Sequence, residues 1–284
     1  MNEIALVTGA SSGIGYQTAL ALAARGITVY AAARRPMSDL ERRGIATIRM
    51  DVTDEESMRQ AVTTLIEREG RIDILVNNAG YGSYGAIEEV PLQEARRQFD
   101  VNVFGAMRLI QLVLPHMITR KRGRIINVSS MGGMFSMALG GWYHATKYAM
   151  EALSDSLRQE VRQFGVDVVV IQPGLTRTNW ESIAAQNLKS TSGLGKYSVI
   201  ARNFAAALDV AGHGFATDPS VIAQIIAKAA TTKYPRTRYR KGVGATTITS
   251  LVALMPDRVF DSVILFALNN LESILDLVQR RTKH

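Results

Sequence analysis

Cysteine is absent from the 284 residues of the chain, and this absence removes several kinds of chemistry. Without a thiol the chain has no disulfide, no thiolate metal site and no cysteine nucleophile. Histidine is scarce, with 4 residues, and His116 and His213 lack a partner at metal-site spacing. We therefore expect no bound metal at the functional site.

The sequence also lacks a basic leader, low-complexity tracts and internal repeats. It starts with MNEIALVTG, which carries an acid and runs directly into a strand-like segment, unlike a secretory signal. Hydrophobic residues make up 47% and charged residues 20%, a globular composition. We expect a cytoplasmic, soluble protein with one domain.

Basic residues outnumber acidic ones, which gives the chain a net charge of +8 and a pI of about 9.8. Such a balance favours anionic partners, including a phosphorylated cofactor. Basic residues cluster at Arg120–Arg124 (RKRGR) and Arg236–Lys241 (RTRYRK), which we interpret as solvated loops. No zinc-finger, RNP-like or basic-zipper spacing accompanies them, so nucleic acid is not an expected partner.

Short apolar runs alternate with helix-length stretches such as 55–69 and 93–119. The predicted strands are Ile4–Thr8, Ile27–Ala33, Ile45–Met50, Ile72–Asn77, Gly123–Ser130 and Val166–Pro173. Runs that are apolar throughout are typical of strands covered on both faces. The alternation predicts a single-domain, doubly wound α/β fold with a parallel sheet.

The last part of the chain has a different pattern. We divide the sequence into an α/β body, residues 1–241, and a helical extension, residues 242–284. From Phe260 to Val278 apolar residues recur at steps of three and four, which predicts an amphipathic helix. Polar residues interrupt it, so it is too polar to span a membrane. Packing on the body or a partner subunit is favoured over lying on a membrane surface.

A glycine-rich turn, TGASSGIG, follows the first strand. Gly9 would allow the tight turn, while Gly13 and Gly15 would allow close approach of a diphosphate and of helix to sheet. The N-terminus of the next helix offers free N–H groups to phosphate. Taken alone, the cluster also fits an ordinary turn, because its spacing differs from G-x-G-x-x-G.

Two arginines, Arg34 and Arg35, end the second strand where an acid would bind a ribose 2′-hydroxyl. Guanidinium groups there bind a 2′-phosphate, so NADP is predicted over NAD. Ser11 offers a further hydroxyl contact. A surface turn flanked by arginines is the alternative interpretation.

The segment YHATK places Tyr143 and Lys147 four residues apart, on one face of a predicted helix. An ammonium beside a phenol lowers the pKa of the phenol, so the pair can act as an acid and base. Ser130, or its neighbour Ser129, ends the fifth strand and is placed to stabilise charge on a substrate oxygen. Asn102 is a poor helix former in mid-helix, which indicates a local polar role or an ordinary buried bond.

Taken together, TGASSGIG, NNAG, Asn102, NVSS, YHATK and PGLTRT resemble the short-chain dehydrogenase/reductase family over Ile4 to Lys233. The resemblance implies a Rossmann-like sheet of about seven strands. It also implies Tyr143 as acid and base, Ser130 as the residue that orients the substrate oxygen, Lys147 on the nicotinamide ribose, and Asn102 holding a water. The expected cofactor contacts are Gly9, Ser11, Ser12, Gly13, Ile14, Gly15, Arg34, Arg35, Asp51, Val52, Asn78, Ala79, Gly80, Tyr143, Lys147, Pro173, Gly174, Thr176 and Thr178. The family usually has Val or Ile where this chain has Thr176.

The glycine turn with VYAAARR most resembles the hydroxysteroid and retinol dehydrogenase branch and its bacterial relatives, which implies a hydrophobic alcohol or ketone. Expected substrate contacts are Ser130, Met131, Met134, Tyr143 and Trp180, beneath a lid-like loop over 178–218. Family members commonly associate through the helices that carry Asn102 and Tyr143, so we expect a homodimer or homotetramer. The alternatives are a regulator that binds the cofactor without chemistry, and a membrane-surface protein docked through its tail.

Overall fold

The computed structural model describes residues 2–178, 180–213 and 216–270. Across these residues, seven parallel strands form one sheet in the order β3-β2-β1-β4-β5-β6-β7. The strands are β1 Ile4–Thr8, β2 Thr28–Ala33, β3 Ala46–Arg49, β4 Ile74–Asn77, β5 Gly123–Val128, β6 Val166–Pro173 and β7 Arg238–Lys241. The strand order reverses between β1 and β4, and the carboxyl ends of strands at such a point form a ligand crevice.

Helices cover both faces of the sheet. They are α1 Gly13–Ala23, α2 Ser38–Arg42, α3 Glu55–Glu69, α4 Leu92–Phe99, α5 Gly105–Thr119, α6 Gly141–Val161, α7 Trp180–Ser192, α8 Ser198–His213, α9 Pro219–Thr231, α10 Thr247–Val252 and α11 Asp257–Asn269. Ala5 and Val7 of β1 face a core with α1 and α9, while Ile4 and Leu6 face a core with α3 and α5. This two-sided burial explains why the inner strands are mostly apolar on both faces.

The six strands predicted from apolar runs are confirmed, and the main correction is β7. We interpreted RTRYRK as a solvated loop, but its last four residues pair with β6 and form the edge of the sheet. An edge strand pairs on one side only, so charged side chains can stay at the surface. The alternating Arg238 and Arg240 therefore fit a strand without being buried.

The stretch predicted as one helix over 93–119 is interrupted once. A π-helical turn at Asp100–Phe104 separates α4 from α5 and carries Asn102. The combined segment Leu92–Thr119 has the length and composition of a membrane span. Leu109, Val113 and Met117 are nevertheless buried against the sheet, so this segment is a core helix.

The predicted loop over 178–218 is wrong, because α7 and α8 occupy most of it and pack against each other. The predicted tail helix is confirmed at 257–269, and its remaining positions up to Val278 lie outside the described residues. The tail helix α11 lies on α8, where Asn203 Nδ2 donates to the carbonyl oxygens of Leu268 (2.8 Å) and Asn269 (3.3 Å). These bonds satisfy carbonyls that a helix C-terminus leaves without intrahelical partners.

Candidate active site

The glycine turn between β1 and α1 forms a cradle that side chains would fill. Gly9 and Gly13 have φ of +66° and +57°, in the left-handed region that favours glycine. A Cβ on Gly15 would lie 2.5 Å from the carbonyl oxygen of Gly9 and closer still to Nδ2 of Asn78. No side chain caps the N-terminus of α1, and its first turn contains no acid. The free N–H groups and the bare backbone fit a dinucleotide diphosphate.

Thr8, which the motifs did not single out, joins this cradle to the end of β4. Its hydroxyl oxygen accepts from the N–H groups of Asn78 (3.0 Å) and Ala79 (2.9 Å). Asn78 Nδ2 donates in return to the carbonyl oxygen of Thr8 at 2.9 Å. A Cβ on Gly9 would lie 2.8 Å from Cα of Ala79, so the glycine turn is in contact with the segment that follows β4. A threonine at the end of a strand that precedes a glycine turn was the available sequence signal.

The end of β2 presents two exposed cations, Arg34 and Arg35. Arg35 Nη2 donates to the Ser11 hydroxyl at 3.1 Å, so the arginine reaches the glycine turn. A nearby acid, Asp39 on α2, is already engaged. Hydrogen bonds from the Tyr16 hydroxyl and from Arg43 and Arg42 hold the pKa of Asp39 at about 2. The positive field at the end of β2 therefore remains available for a phosphate.

The remaining expected cofactor residues form the walls of the crevice. Asp51 Oδ1 accepts from Thr53 N (2.9 Å) and Oγ1 (2.8 Å), so one carboxylate oxygen is committed to a local turn. Val52 packs beside Gly105, where an added Cβ would lie 3.0 Å from the valine Cβ. Contacts of Asp51 and Val52 with adenine stay predictions.

The loop after β6 approaches the glycine turn from the opposite side. Gly174, which follows Pro173, donates its N–H to the carbonyl oxygen of Lys241 at 2.9 Å. The Thr176 hydroxyl donates to the carbonyl oxygen of Gly174 at 2.9 Å, so this unusual side chain stabilises its own loop. The Thr178 methyl group lies 3.2 Å from the position of a Cβ on Gly13. The two loops therefore enclose one crevice.

Ser130, Tyr143 and Lys147 meet at the carboxyl end of β5. The α6 helix places Tyr143 and Lys147 one turn apart, and both are buried. The Ser130 hydroxyl accepts from Gly132 N at 3.0 Å, and its proximity to Tyr143 acts to lower the pKa of the phenol. Ser129 Oγ, in contrast, is buried with no hydrogen-bond partner among the described residues. Of the two serines, Ser130 is therefore the one placed to interact with the phenol, and its catalytic role stays a prediction.

Burial dominates the protonation of this pair. It raises the pKa of Tyr143 to about 12, and the nearby Glu181 acts in the same direction. Burial also lowers the pKa of Lys147 to about 8, while Glu151 opposes that change. Lys147 Nζ lies 5.9 Å from the centroid of the Tyr143 ring and donates to the carbonyl oxygen of Val128 at 3.1 Å. The expectation that Lys147 brings the pKa of the phenol below its ordinary value is therefore wrong for the protein alone.

Asn102 lies in the π-helical turn, a deviation often found at functional sites. Its Nδ2 donates to the carbonyl oxygen of Tyr81 (2.8 Å) and to the Thr146 hydroxyl (3.1 Å), and its Oδ1 accepts from Tyr81 N (3.0 Å). A Cβ on Gly80 would lie 3.1 Å from this Oδ1 and 3.8 Å from Lys147 Nζ. Asn102 and Lys147 therefore border the same glycine.

Glu151 is a buried carboxylate that the motifs did not single out. It follows Lys147 by one helical turn and accepts from Gln172 Nε2 (3.0 Å) and Arg238 Nε (3.0 Å). Arg238 also binds Asp155 through Nη2 at 2.6 Å. The acid four residues after the lysine was the available signal, but its burial depends on β6 and β7. Through Glu151 the edge of the sheet acts electrostatically on Lys147.

An apolar wall from α7 and α8 covers the phenol. The Tyr143 ring centroid lies 5.2 Å from that of Trp180 and 5.5 Å from that of Tyr84, and Phe204 packs on Tyr84 at 5.4 Å. A Cβ on Gly82 would lie 2.9 Å from Cε2 of the Trp180 indole, so only glycine lets this ring pack here. Trp180 thus lies where a substrate-contacting residue was expected, whereas Tyr84 and Phe204 were missed because their proximity depends on tertiary packing.

A capping box holds the start of α7 at this wall. The Thr178 hydroxyl accepts from Trp180 N at 3.1 Å, and Glu181 Oε2 accepts from Thr178 N at 3.1 Å. The two expected methionine contacts lie farther out. Met131 has its sulfur 3.6 Å from the position of a Cβ on Gly244, and Met134 is 36% exposed. Neither methionine is part of the aromatic cluster around Tyr143.

Comparison with known proteins agrees with this geometry. Residues 3–188 match the family model described as short chain dehydrogenase. The chain belongs to the short-chain dehydrogenase family. It is 33% identical to the probable short-chain type dehydrogenase/reductase VdlC of Helicobacter pylori, over 91% of this chain and 95% of that protein. It is also 41% identical to a 3-ketodihydrosphingosine reductase of Bacteroides thetaiotaomicron, over 61% of this chain and 63% of that protein.

Solved structures of short-chain dehydrogenases extend the likeness to the whole chain. One from Streptomyces avermitilis has a TM-score of 0.78 and 32% identity and covers 99% of both chains. A metagenomic short-chain oxidoreductase in complex with NADP has a TM-score of 0.65 and 27% identity, over 84% of this chain and 95% of its own. This short-chain dehydrogenase is therefore an oxidoreductase whose neighbours include NADP complexes. Assignment to the hydroxysteroid and retinol branch stays a prediction.

Proposed function

We propose that this short-chain dehydrogenase is an NADP(H)-dependent enzyme that interconverts a hydrophobic secondary alcohol and its ketone, or acts on the corresponding aldehyde. The observation that carries the proposal is that the buried Tyr143 lies beside Ser130 and one helical turn from the buried Lys147, at the carboxyl edge of the sheet. This cluster faces the crevice formed by the glycine turn. Proton transfer and cofactor binding can therefore take place at the same edge.

Each residue of the cluster has a physical role in this proposal. The nicotinamide dinucleotide, when bound, supplies or accepts the hydride. Tyr143 is a neutral phenol at neutral pH, and burial, which raises its pKa to about 12, keeps it protonated at alkaline pH as well. It donates a proton to the substrate oxygen during reduction. Ser130 donates a hydrogen bond to the same oxygen, and the Lys147 ammonium stabilises the phenolate that remains. Asn102 fixes the backbone of Tyr81 beside Lys147.

The preference for NADP rests on charge at the end of β2. Arg34 and Arg35 are exposed there, and the carboxylate of Asp39 is bound by Arg42 and Arg43. A guanidinium pair stabilises a 2′-phosphate, whereas it offers a ribose hydroxyl no matching acceptor. The NADP complex of a relative with 27% identity supports this choice.

The apolar character of the substrate follows from what surrounds the reacting group. Tyr143 belongs to a cluster with Leu139, Leu188, Phe204 and Leu268. Sites lined in this way favour bulky apolar ligands. The relative named 3-ketodihydrosphingosine reductase supports a long-chain ketone as one candidate.

A substrate scan tests the proposal. We expect NADPH oxidation with steroid, retinoid and long-chain aliphatic ketones, with kcat/KM rising along a series of 2-alkanones of increasing chain length and lower rates with NADH. Ser130→Ala should reduce kcat about 10²-fold or more, whereas Ser129→Ala, its matched neighbour, should reduce it far less. Equal losses in the two variants, or no turnover of any carbonyl by a protein that binds NADPH, would contradict the proposal.

We also propose that the enzyme is a homo-oligomer that associates through α4, α5 and α6. Large apolar side chains are exposed along this surface: Leu92 of α4 (61%), Phe104 of the π-helical turn that precedes α5 (60%) and Tyr148 of α6 (45%). Apolar residues exposed together on packed helices are typical of subunit interfaces. Light scattering after size exclusion should give a dimer or tetramer mass, and a monomer mass would refute this assembly.

A further inference from the structure

A cavity of about 570 Å³ lies at the edge of the sheet, between α9 and β7. It is separate from the cofactor crevice, because β7 is four strands from β1 in the sheet order. At a spacing of about 4.8 Å between strands, that separation is about 19 Å. The geometry points to a second ligand site in this cavity, specific for compact phosphorylated molecules.

Charge is the first argument for this ligand. Lys228, Arg236, Arg238 and Arg240 line the cavity, and none of its described lining residues is acidic. Arg238 is neutralised by Glu151 and Asp155. The other three cations form no ion pair within the described part of the chain. Arg240 Nε donates to Gln172 Oε1 at 2.8 Å, so Lys228 and Arg236 are the cations that the cavity offers without a counterion, and this favours binding of an anion.

The fold explains why these cations meet. Tyr239 of β7 packs with Ile225 of α9, whereas Arg238 and Arg240 point to the opposite face of the strand, because side chains of a strand alternate between faces. Lys228 shares a helix face with Ile225 and Thr232, at steps of three and four residues. The end of α9 and the turn before β7 therefore bring Lys228 and Arg236 to one opening.

The helix end that would repel an anion is neutralised. The last carbonyl groups of a helix carry a partial negative charge. Arg124 Nη1 donates to the carbonyl oxygens of Ala229 (2.9 Å), Ala230 (2.6 Å) and Thr232 (2.8 Å) at the end of α9. The arginine covers these acceptors from the β5 side, and the Thr232 hydroxyl donates to the carbonyl oxygen of Lys228 at 2.7 Å, so the Lys228 ammonium can face an anion without repulsion from the helix end.

Hydroxyl groups and rings complete the lining. Tyr239 accepts from Arg236 N at 3.1 Å, which holds the turn before β7 against the strand. Tyr234, at the rim, is 80% exposed and has Lys233 Nζ at 5.3 Å from its ring centroid. Charged residues that only prevent an edge strand from pairing with another chain can be scattered along the strand. Cations, hydroxyls and an open ring gathered round a cavity are what recognition of a phosphorylated molecule requires.

Binding of inorganic diphosphate to the full chain tests this site. The protein is first saturated with NADPH, so that the cofactor crevice is filled, and diphosphate is then titrated by calorimetry. We expect saturable binding, with Kd raised about tenfold in Arg236→Ala and in Lys228→Ala, since charge-assisted bonds to phosphate are strong. Arg202→Ala on α8 is the matched control, an exposed arginine without an ion pair in the structure as described, and it should leave Kd unchanged.

A second experiment distinguishes a free phosphorylated molecule from a lipid headgroup as the ligand. Vesicles of phosphatidylcholine with and without phosphatidic acid are sedimented with the same variants. Retention on phosphatidic acid vesicles that Arg236→Ala abolishes would identify a headgroup as the source of the phosphate. Absence of saturable diphosphate binding together with absence of Arg236-dependent vesicle binding would overturn the proposal, as would equal weakening in all three variants.

Discussion

Removal of the charge on Glu151 tests how the protein controls Lys147. Burial lowers the pKa of Lys147 to about 8, and Glu151 is the group that opposes this change. Side chains one helical turn apart have Cβ atoms about 5–6 Å apart, and two unit charges about 6 Å apart interact by about 3 kcal/mol at an effective dielectric constant of about 20. The cation of Arg238 on the same carboxylate reduces this field. We therefore expect Glu151→Gln to lower the pKa of Lys147 by about one unit, equivalent to about 1.4 kcal/mol.

The sign of the effect follows from the charge of the lysine. Lys147 is a cation below its pKa, so activity that needs its ammonium is lost as the pH rises through about 8. In Glu151→Gln this alkaline limb should move to lower pH by about one unit. The pH dependence of kcat/KM for NADPH reports groups of the free enzyme and is the appropriate assay. Glu160→Gln, an exposed residue of the same helix, is the control. Superimposable alkaline limbs in Glu151→Gln and the unsubstituted protein would refute the reasoning.

Two further predictions concern the cofactor. Gly15→Ala should weaken NADPH binding more than tenfold in fluorescence titration, because its Cβ would lie 2.5 Å from the carbonyl oxygen of Gly9; unchanged affinity in a folded variant would contradict the cradle. Arg35→Ala should raise the Kd of NADPH about tenfold or more and leave that of NADH unchanged, because one charge-assisted bond contributes about 1.5–3 kcal/mol. Equal effects on both cofactors would show that Arg35 does not bind the 2′-phosphate.

The five inner strands, β1, β2, β4, β5 and β6, could be predicted from sequence because burial on both faces leaves one simple pattern. β1, for example, is buried at all five positions. The edge strand β7 follows another rule, since Arg238 and Arg240 need not be buried and their pattern also fits a loop. The helices α7 and α8 were missed for a related reason. Their Ala-, Ser- and Gly-rich sequence suggested a flexible connection, and their packing against each other supplies much of their apolar contact.

The positions of the site residues could be predicted better than their energetics. Strand ends and helix spacing place Ser130, Tyr143 and Lys147 together, as found. The pKa of the phenol depends instead on burial by Trp180 and Tyr84, which come from distant parts of the chain. The sequence likewise does not indicate a role for Glu151, because its burial depends on contacts with β6 and β7. Local sequence patterns thus predict where the ionisable side chains lie. Their pKa values depend on burial, which only the folded structure determines.

Replacement of Tyr143 by phenylalanine is the most direct test of the central claim that this phenol transfers the proton. The account predicts that kcat for reduction of an active ketone falls about 10²–10⁴-fold, while the Kd of NADPH, measured on the same preparation, changes less than about threefold, since no charged or bidentate contact is removed. A Tyr143→Phe enzyme that turns over at a rate close to that of the unsubstituted protein would contradict it.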